Sequence, residues 1–183
     1  MLTYVILLRA VNVGSTGKLP MAEFRKLLEG LGYSNVATYI QSGNAIVDTK
    51  ASAASIEKTV RAELEKLMRM RTQVMVRTHA QLEQMVAANP FAKEAAADGA
   101  RVHAGFLSGI PAEGKGAGLE QIVINNPKRR DRYCLIGDTL YLHLPDGAAE
   151  TKFTAQALDR ILGVTSTGRN WNTVLKLHAM SKR

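Results

Sequence analysis

Val36-Ala37-Thr38-Tyr39-Ile40-Gln41-Ser42-Gly43-Asn44-Ala45-Ile46-Val47-Asp48 reads as two short strands, 36–40 and 44–48, turning at Gln41-Ser42-Gly43, a hairpin with glycine in its turn. What flanks it decides the fold. Upstream, Thr3 to Leu8 is an apolar strand, and Met21, Phe24, Leu27, Leu28 and Leu31 recur at helical spacing between Pro20 and Gly32, residues suited to start and stop a helix. Downstream, Ser52 can cap a second helix whose Ile56, Val60, Leu64 and Leu67 line one face, and Gln73 to Arg77 is a further strand. The order is β-α-β-β-α-β, the ferredoxin-like unit.

A short helix over 80–88, the breaker Asn89-Pro90 and the loop to Gly99 mark a boundary. The pattern then returns. Val102 to Leu107 is a strand, 109–118 is glycine-rich and is read as a loop or short helix, and 133–136 with 140–144 is a hairpin turning at Gly137-Asp138. A helix over 152–162 ends at Gly163, and a strand over 164–167 and a terminal helix over 173–180 follow. The expected class is therefore α+β: duplicated ferredoxin-like subdomains, 1–88 and 101–183, joined by a linker at 89–100, with an extra C-terminal helix. Because Tyr4-Val5-Ile6-Leu7-Leu8 is apolar on both alternating faces, the first sheet is expected to be covered on both sides, by its helices and by the other half of the chain.

Polar clusters interrupt this pattern. Arg9, Asn12, Gln41, Ser42 and Asn44 follow the first strand or fill the hairpin, and Arg169-Asn170-Trp171-Asn172 precedes the last helix. In a ferredoxin-like sheet the first two strands run the same way. The end of the first strand, the hairpin and the loop carrying Arg69 and Arg71 then fall at one edge. In the second half the last strand runs oppositely, so Arg169 to Asn172 joins 147–152, with Lys152, at the other end of its sheet. Lys176, one turn into the last helix, faces the same way as Asn172. Arginine donates in a fork and amides both donate and accept, so Arg9, Asn12, Gln41, Ser42, Asn44, Lys152, Arg169, Asn170, Trp171, Asn172 and Lys176 are the candidate ligand-binding residues. These residue types bind and orient; they name no reaction, and no catalytic residue is assigned. The competing reading is structural: asparagines serving turns and caps, Trp171 as a packing anchor, the clusters locking two subdomains together.

The remaining chemistry-bearing residues are read conservatively. Gly14-Ser15-Thr16-Gly17-Lys18 is short of a phosphate loop, because Asn12 and Leu19 stand where glycine and Ser or Thr are needed. Strand alternation places His103 and His143 together with Tyr141, away from Leu140, Leu142 and Leu144, and no metal site is expected. His79 and His178 read as surface residues, Cys134 as a small buried hydrophobe.

The chain resembles the bacterial family known as domain of unknown function 1697. The resemblance rests on residues 7–14, Pro20-Met21-Ala22-Glu23-Phe24, Thr38-Tyr39-Ile40-Gln41-Ser42-Gly43-Asn44, Asn89-Pro90-Phe91, residues 140–147 and residues 169–177. It implies paired ferredoxin-like subdomains and assigns no biochemical role. Ala10 stands where the family usually has glycine, and Ala148-Ala149-Glu150-Thr151-Lys152 replaces a more basic stretch.

Among the 183 residues, 24 lysines and arginines face 16 aspartates and glutamates, a formal charge of +8, which steers anions toward the protein. A small anionic ligand is the expected partner, with nucleic acid second: the chain lacks the aromatic sequence that stacks bases on RNA-recognition sheets. The run Lys128-Arg129-Arg130 with Arg132 is read as a solvated face. No cofactor is expected. A single cysteine, an apolar start without a basic leader, and no apolar run near ~20 residues lead to the expectation of a cytoplasmic protein with no membrane partner.

Overall fold

The computed structural model describes residues 1–12 and 18–182. The stretch 13–17, with most of the phosphate-loop-like sequence, lies outside them. Two compact units emerge, Met1–Gln84 with Lys176–Arg183, and Met85–Leu175.

The first unit contains β1 (Leu2–Leu8), α1 (Met21–Gly30), β2 (Ser34–Tyr39), β3 (Asn44–Thr49), α2 (Ala53–Met68) and β4 (Val74–Thr78). Its sheet has the order β2-β3-β1-β4 with antiparallel neighbours throughout, and Ile6 is opposed by Ala45 on one side and Val76 on the other. Tyr4, Ile6 and Leu8 point to one face, where they join Phe24 and Leu28 of α1 and Ile56, Val60 and Leu64 of α2 in a core. Val5 and Leu7, on the opposite face, have no exposed surface either, so the strand has no polar alternation to show. The Ser52 hydroxyl caps α2 by accepting from Ser55 N–H at 3.3 Å.

α3 (His79–Ala87) and α4 (Ala92–Ala97) follow, then β5 (Val102–Leu107), α5 (Ala117–Ile124), β6 (Arg132–Ile136), β7 (Thr139–His143), α6 (Ala155–Leu162), β8 (Ser166–Asn170) and α7 (Trp171–Ser181). The second sheet repeats the first topology, β6-β7-β5-β8. Leu107, Leu140 and Leu142 pack with Leu119 of α5 and with Leu158 and Leu162 of α6. The architecture is α+β, two ferredoxin-like subdomains with a C-terminal helix.

Three local readings change. The expected linker holds a helix, α4, because Ala92-Lys93-Glu94-Ala95-Ala96-Ala97 is rich in strong helix formers. β8 runs on through Asn170 and α7 starts at Trp171, so Arg169 and Asn170 are strand residues and not loop residues. His103 and His143 do not share a face: β5 and β7 pair in a register that opposes His103 to Leu142 and Val102 to His143. Directly opposed residues lie on the same face. His103 is therefore on the leucine face, and His143 on the other with Tyr141. Alternation orders residues within a strand, but the parity between strands comes from the register.

Candidate functional site

Three segments meet at the end of β1. Leu8 N–H donates to Gly43 O of the β2–β3 hairpin at 2.8 Å, and Arg9 N–H donates to Gln73 O of the α2–β4 loop at 3.0 Å. The Thr72 hydroxyl adds a 2.6 Å bond to Arg9 O. This convergence follows from connectivity alone, since β2 runs with β1 and β4 begins where β1 ends.

The amides at this edge hold backbone. Asn12 Nδ2 donates to Leu19 O at 2.9 Å and to Gln41 O at 2.7 Å, while its Oδ1 accepts from Leu19 N–H at 2.7 Å. Asn44 is fully buried and donates to Tyr39 O at 3.1 Å and to Ser42 Oγ at 2.9 Å. Gln41 lends its carbonyl to Asn12 and keeps its side chain exposed. Asn12, Ser42 and Asn44 thus shape the loops of one unit.

The backbone here is strained. Ala10, Asn12, Ile40 and Arg69 adopt φ of 50°, 56°, 49° and 51°, and among the described residues Asn35 is the sole other non-glycine residue in this region. The left-handed conformation costs an L-residue about 1–2 kcal/mol, asparagine least, and is most unusual for a β-branched residue such as Ile40. Ala10 occupies a conformation that glycine adopts freely.

Beside the strained loops lies a cleft of about 830 Å³, lined by Arg9, Ala10, Val11, Lys18, Arg61, Glu65, Met68, Arg69, Met70, Arg71, Thr72 and Gln73. Five of these side chains are cationic. The one carboxylate, Glu65, accepts from Arg71 Nε at 2.7 Å. Arg61 was not singled out by sequence reasoning; its signal is the spacing Arg61, Glu65, Arg69, which puts three charged groups along one face at the end of α2.

The second cluster is differently used. Arg169 is 8% exposed, and its Nη1 donates to Thr167 Oγ1 at 2.9 Å and Gly168 O at 2.8 Å. Burial pulls its guanidinium down to about 10. Asn170 Oδ1 caps α7 by accepting from Thr173 N–H at 2.9 Å. Trp171 donates its backbone N–H to Gly99 O at 3.1 Å, and its buried ring lies tilted against Tyr141 with centroids 6.3 Å apart. The Tyr141 hydroxyl, pushed up to about 12 by burial, donates to Met85 O at 2.8 Å. Lys152, Asn172 and Lys176 are exposed. The basic run is ion-paired at the surface: Arg130 to Asp146 at 2.5 Å, Arg132 to Glu94. Cys134 is half-buried on β6.

A second cavity, about 240 Å³, lies in the second unit, with His103, Leu142, Leu144, Phe153, Leu158 and Ser166 among its walls. His103 Nδ1 is buried with no partner among the described residues, and burial lowers the imidazole below its ordinary value. The inverted register that placed His103 on this face is what sequence reasoning lacked.

The fold agrees with what the chain matches. The chain belongs to the family described as "Protein of unknown function (DUF1697)", whose model covers residues 1–141. Among solved structures it is similar to the conserved bacterial protein SP0830 from Streptococcus pneumoniae, with a TM-score of 0.70, 22% identity and 99% of each chain covered. Identity that low carries the fold alone. No curated protein matches the chain. Among the described residues no helix is long and apolar enough to cross a membrane.

Proposed function

We propose that the protein binds a small polyanion, such as a phosphorylated metabolite or nucleotide, in the basic cleft at the end of β1. The observation that carries this reading is the composition of the walls: Arg9, Lys18, Arg61, Arg69 and Arg71 against the single carboxylate of Glu65. Guanidinium groups meet phosphate or carboxylate oxygens bidentately, so several around one cleft select multiply charged ligands. The concentration of left-handed residues at this same edge supports it, because strain of this kind collects where a fold serves a ligand. Asn12 and Asn44 then act by positioning the loops, and Arg169, Asn170 and Trp171 belong to packing in the other unit. With one cysteine the chain suits a reducing compartment, the cytoplasm.

Calorimetric titration with nucleotides, pyrophosphate, sugar phosphates and dicarboxylates tests the reading. Arg9→Ala and Arg61→Ala should each weaken the best ligand by about tenfold or more, the loss of a charged hydrogen bond. A panel without a binder, or a binder indifferent to both substitutions, rejects the site. Oligonucleotide binding whose log–log salt slope is near −0.9 per contacted phosphate of duplex, or about −0.7 for single strands, would move the assignment to nucleic acid.

A further inference from the structure

Away from the cleft, α3 opens with His79 and carries Glu83 one turn later, while His178 lies in the last turn of α7. All three belong to the first unit. One ligand atom from each lies within 4.8 Å of the others. The two imidazole rings are stacked, with centroids 4.9 Å apart and planes 4° from parallel.

The hydrogen bonds around the pair determine which nitrogen of His79 carries its proton. The buried Ser181 hydroxyl donates to His178 O at 2.9 Å. That uses its one proton, so in the 2.9 Å contact with His79 Nδ1 it accepts. His79 is thereby held with hydrogen on Nδ1 and a lone pair on Nε2, the arrangement by which an outer group orients a ligating histidine. His178 Nε2 is buried and has no hydrogen-bond partner among the described residues, a state that calls for an explanation in a folded protein.

We propose that His79, Glu83 and His178 bind a divalent transition metal ion, zinc first, with Ser181 positioning His79. Two imidazoles and one carboxylate are a donor set that zinc takes with its fourth position left to water. Bonds of about 2.1 Å in a tetrahedron place donor atoms about 3.4 Å apart. Glu83 is exposed, so its side chain can turn toward the pair, and ion binding requires the two rings to rotate out of their parallel stack until both planes contain the metal. Nitrogen-rich donors disfavour magnesium and calcium, which take oxygen. This site shares no residue with the basic cleft and stands or falls separately from it.

The test is calorimetric titration of the full chain with zinc, alongside the visible spectrum of the cobalt(II) form. One ion per chain and a tetrahedral cobalt spectrum are expected. His79→Ala and His178→Ala should abolish both, and Glu83→Gln and Ser181→Ala should weaken zinc by about tenfold or more. Circular dichroism checks that each variant is folded; Glu83→Gln changes an exposed side chain and leaves folding intact. Absence of zinc and cobalt binding by the wild type overturns the proposal. So does equal zinc affinity in wild type and Glu83→Gln, or in wild type and the folded His79→Ala variant.

Discussion

In the first unit the strand order β2-β3-β1-β4 carries its polar loops around an open basic cleft, whereas the same order in the second unit ends in a polar run that is mostly packed away. Both runs contain arginine and asparagine. Their difference lies in where the arginine sits. At the first edge the amides of Asn12 and Asn44 hold loop backbone, and Arg9 lines a cleft with four other cations. At the second, Arg169 is buried and Asn170 caps a helix. A shared topology thus supplies the same scaffold twice, with the arginine at the wall of an open cleft in one copy and buried in the other.

Gly43 is the sharpest way to break the first edge. Its φ is 74°, and a Cβ there would lie 2.5 Å from Val11 Cγ2 and 2.7 Å from Leu8 Cβ. Gly43→Ala should destabilise by about 3 kcal/mol, strain and overpacking together. Gly168 of β8 has open space around its Cβ position. Gly168→Ala should leave the thermal midpoint nearly unchanged or raise it, and equal midpoints for the two variants would erase the contrast between the edges.

Asn44→Ala removes the bonds that its fully buried amide gives to Tyr39 O and Ser42 Oγ, so a loss of about 2 kcal/mol is expected. Asn170→Ala removes a helix cap, a loss of about 1 kcal/mol. Urea unfolding of the two variants measures both. A smaller effect at Asn44 than at Asn170 would refute the reading of Asn44 as a loop staple.

Replacing Ile40 should act in the opposite direction. With φ of 49° and 49% exposure, its side chain offers little burial to offset its strain. Ile40→Gly should stabilise by under about 1 kcal/mol, the relief of strain minus the greater freedom of an unfolded glycine. A destabilised variant would show that Ile40 contributes packing that outweighs the strain.

The smallest effect belongs to the second unit and to pH. Burial lowers the His103 imidazole, with a smaller opposing influence from the nearby backbone of Arg101. Because its folded value lies below the ordinary 6.5, the unfolded chain takes up the proton first on acidification. Its contribution to stability is full above the unfolded value and declines as pH falls through 6.5 toward the native one. His103→Gln should flatten the decline seen between neutral and mildly acidic urea melts. His143 and His178 are lowered as well, both chiefly by burial, so part of the slope remains.

Residues 36–48 and their flanks were enough to read β-α-β-β-α-β, because apolar periodicity, Pro20, Gly32, Gly43 and Ser52 act within a turn or two of themselves. Connectivity then placed Arg9, the hairpin and Arg69 and Arg71 at one edge, since strand direction in this topology leaves no other arrangement. The sequence by itself therefore determined the fold class and the edge where the cleft lies. It did not determine what each polar side chain does there: whether Asn12 meets a ligand or the Leu19 and Gln41 carbonyls depends on where distant backbone comes to rest. The face of His103 depended on the register between β5 and β7, which shifts by whole residues without altering either strand's pattern. His79 and Glu83 carry a visible helical spacing, but His178 reaches them only because α7 returns to the first unit. Such pairings were decided by the tertiary structure, because hydrogen-bond partners and ligand distances are set by approach through space, while periodicity reports only neighbours along the chain.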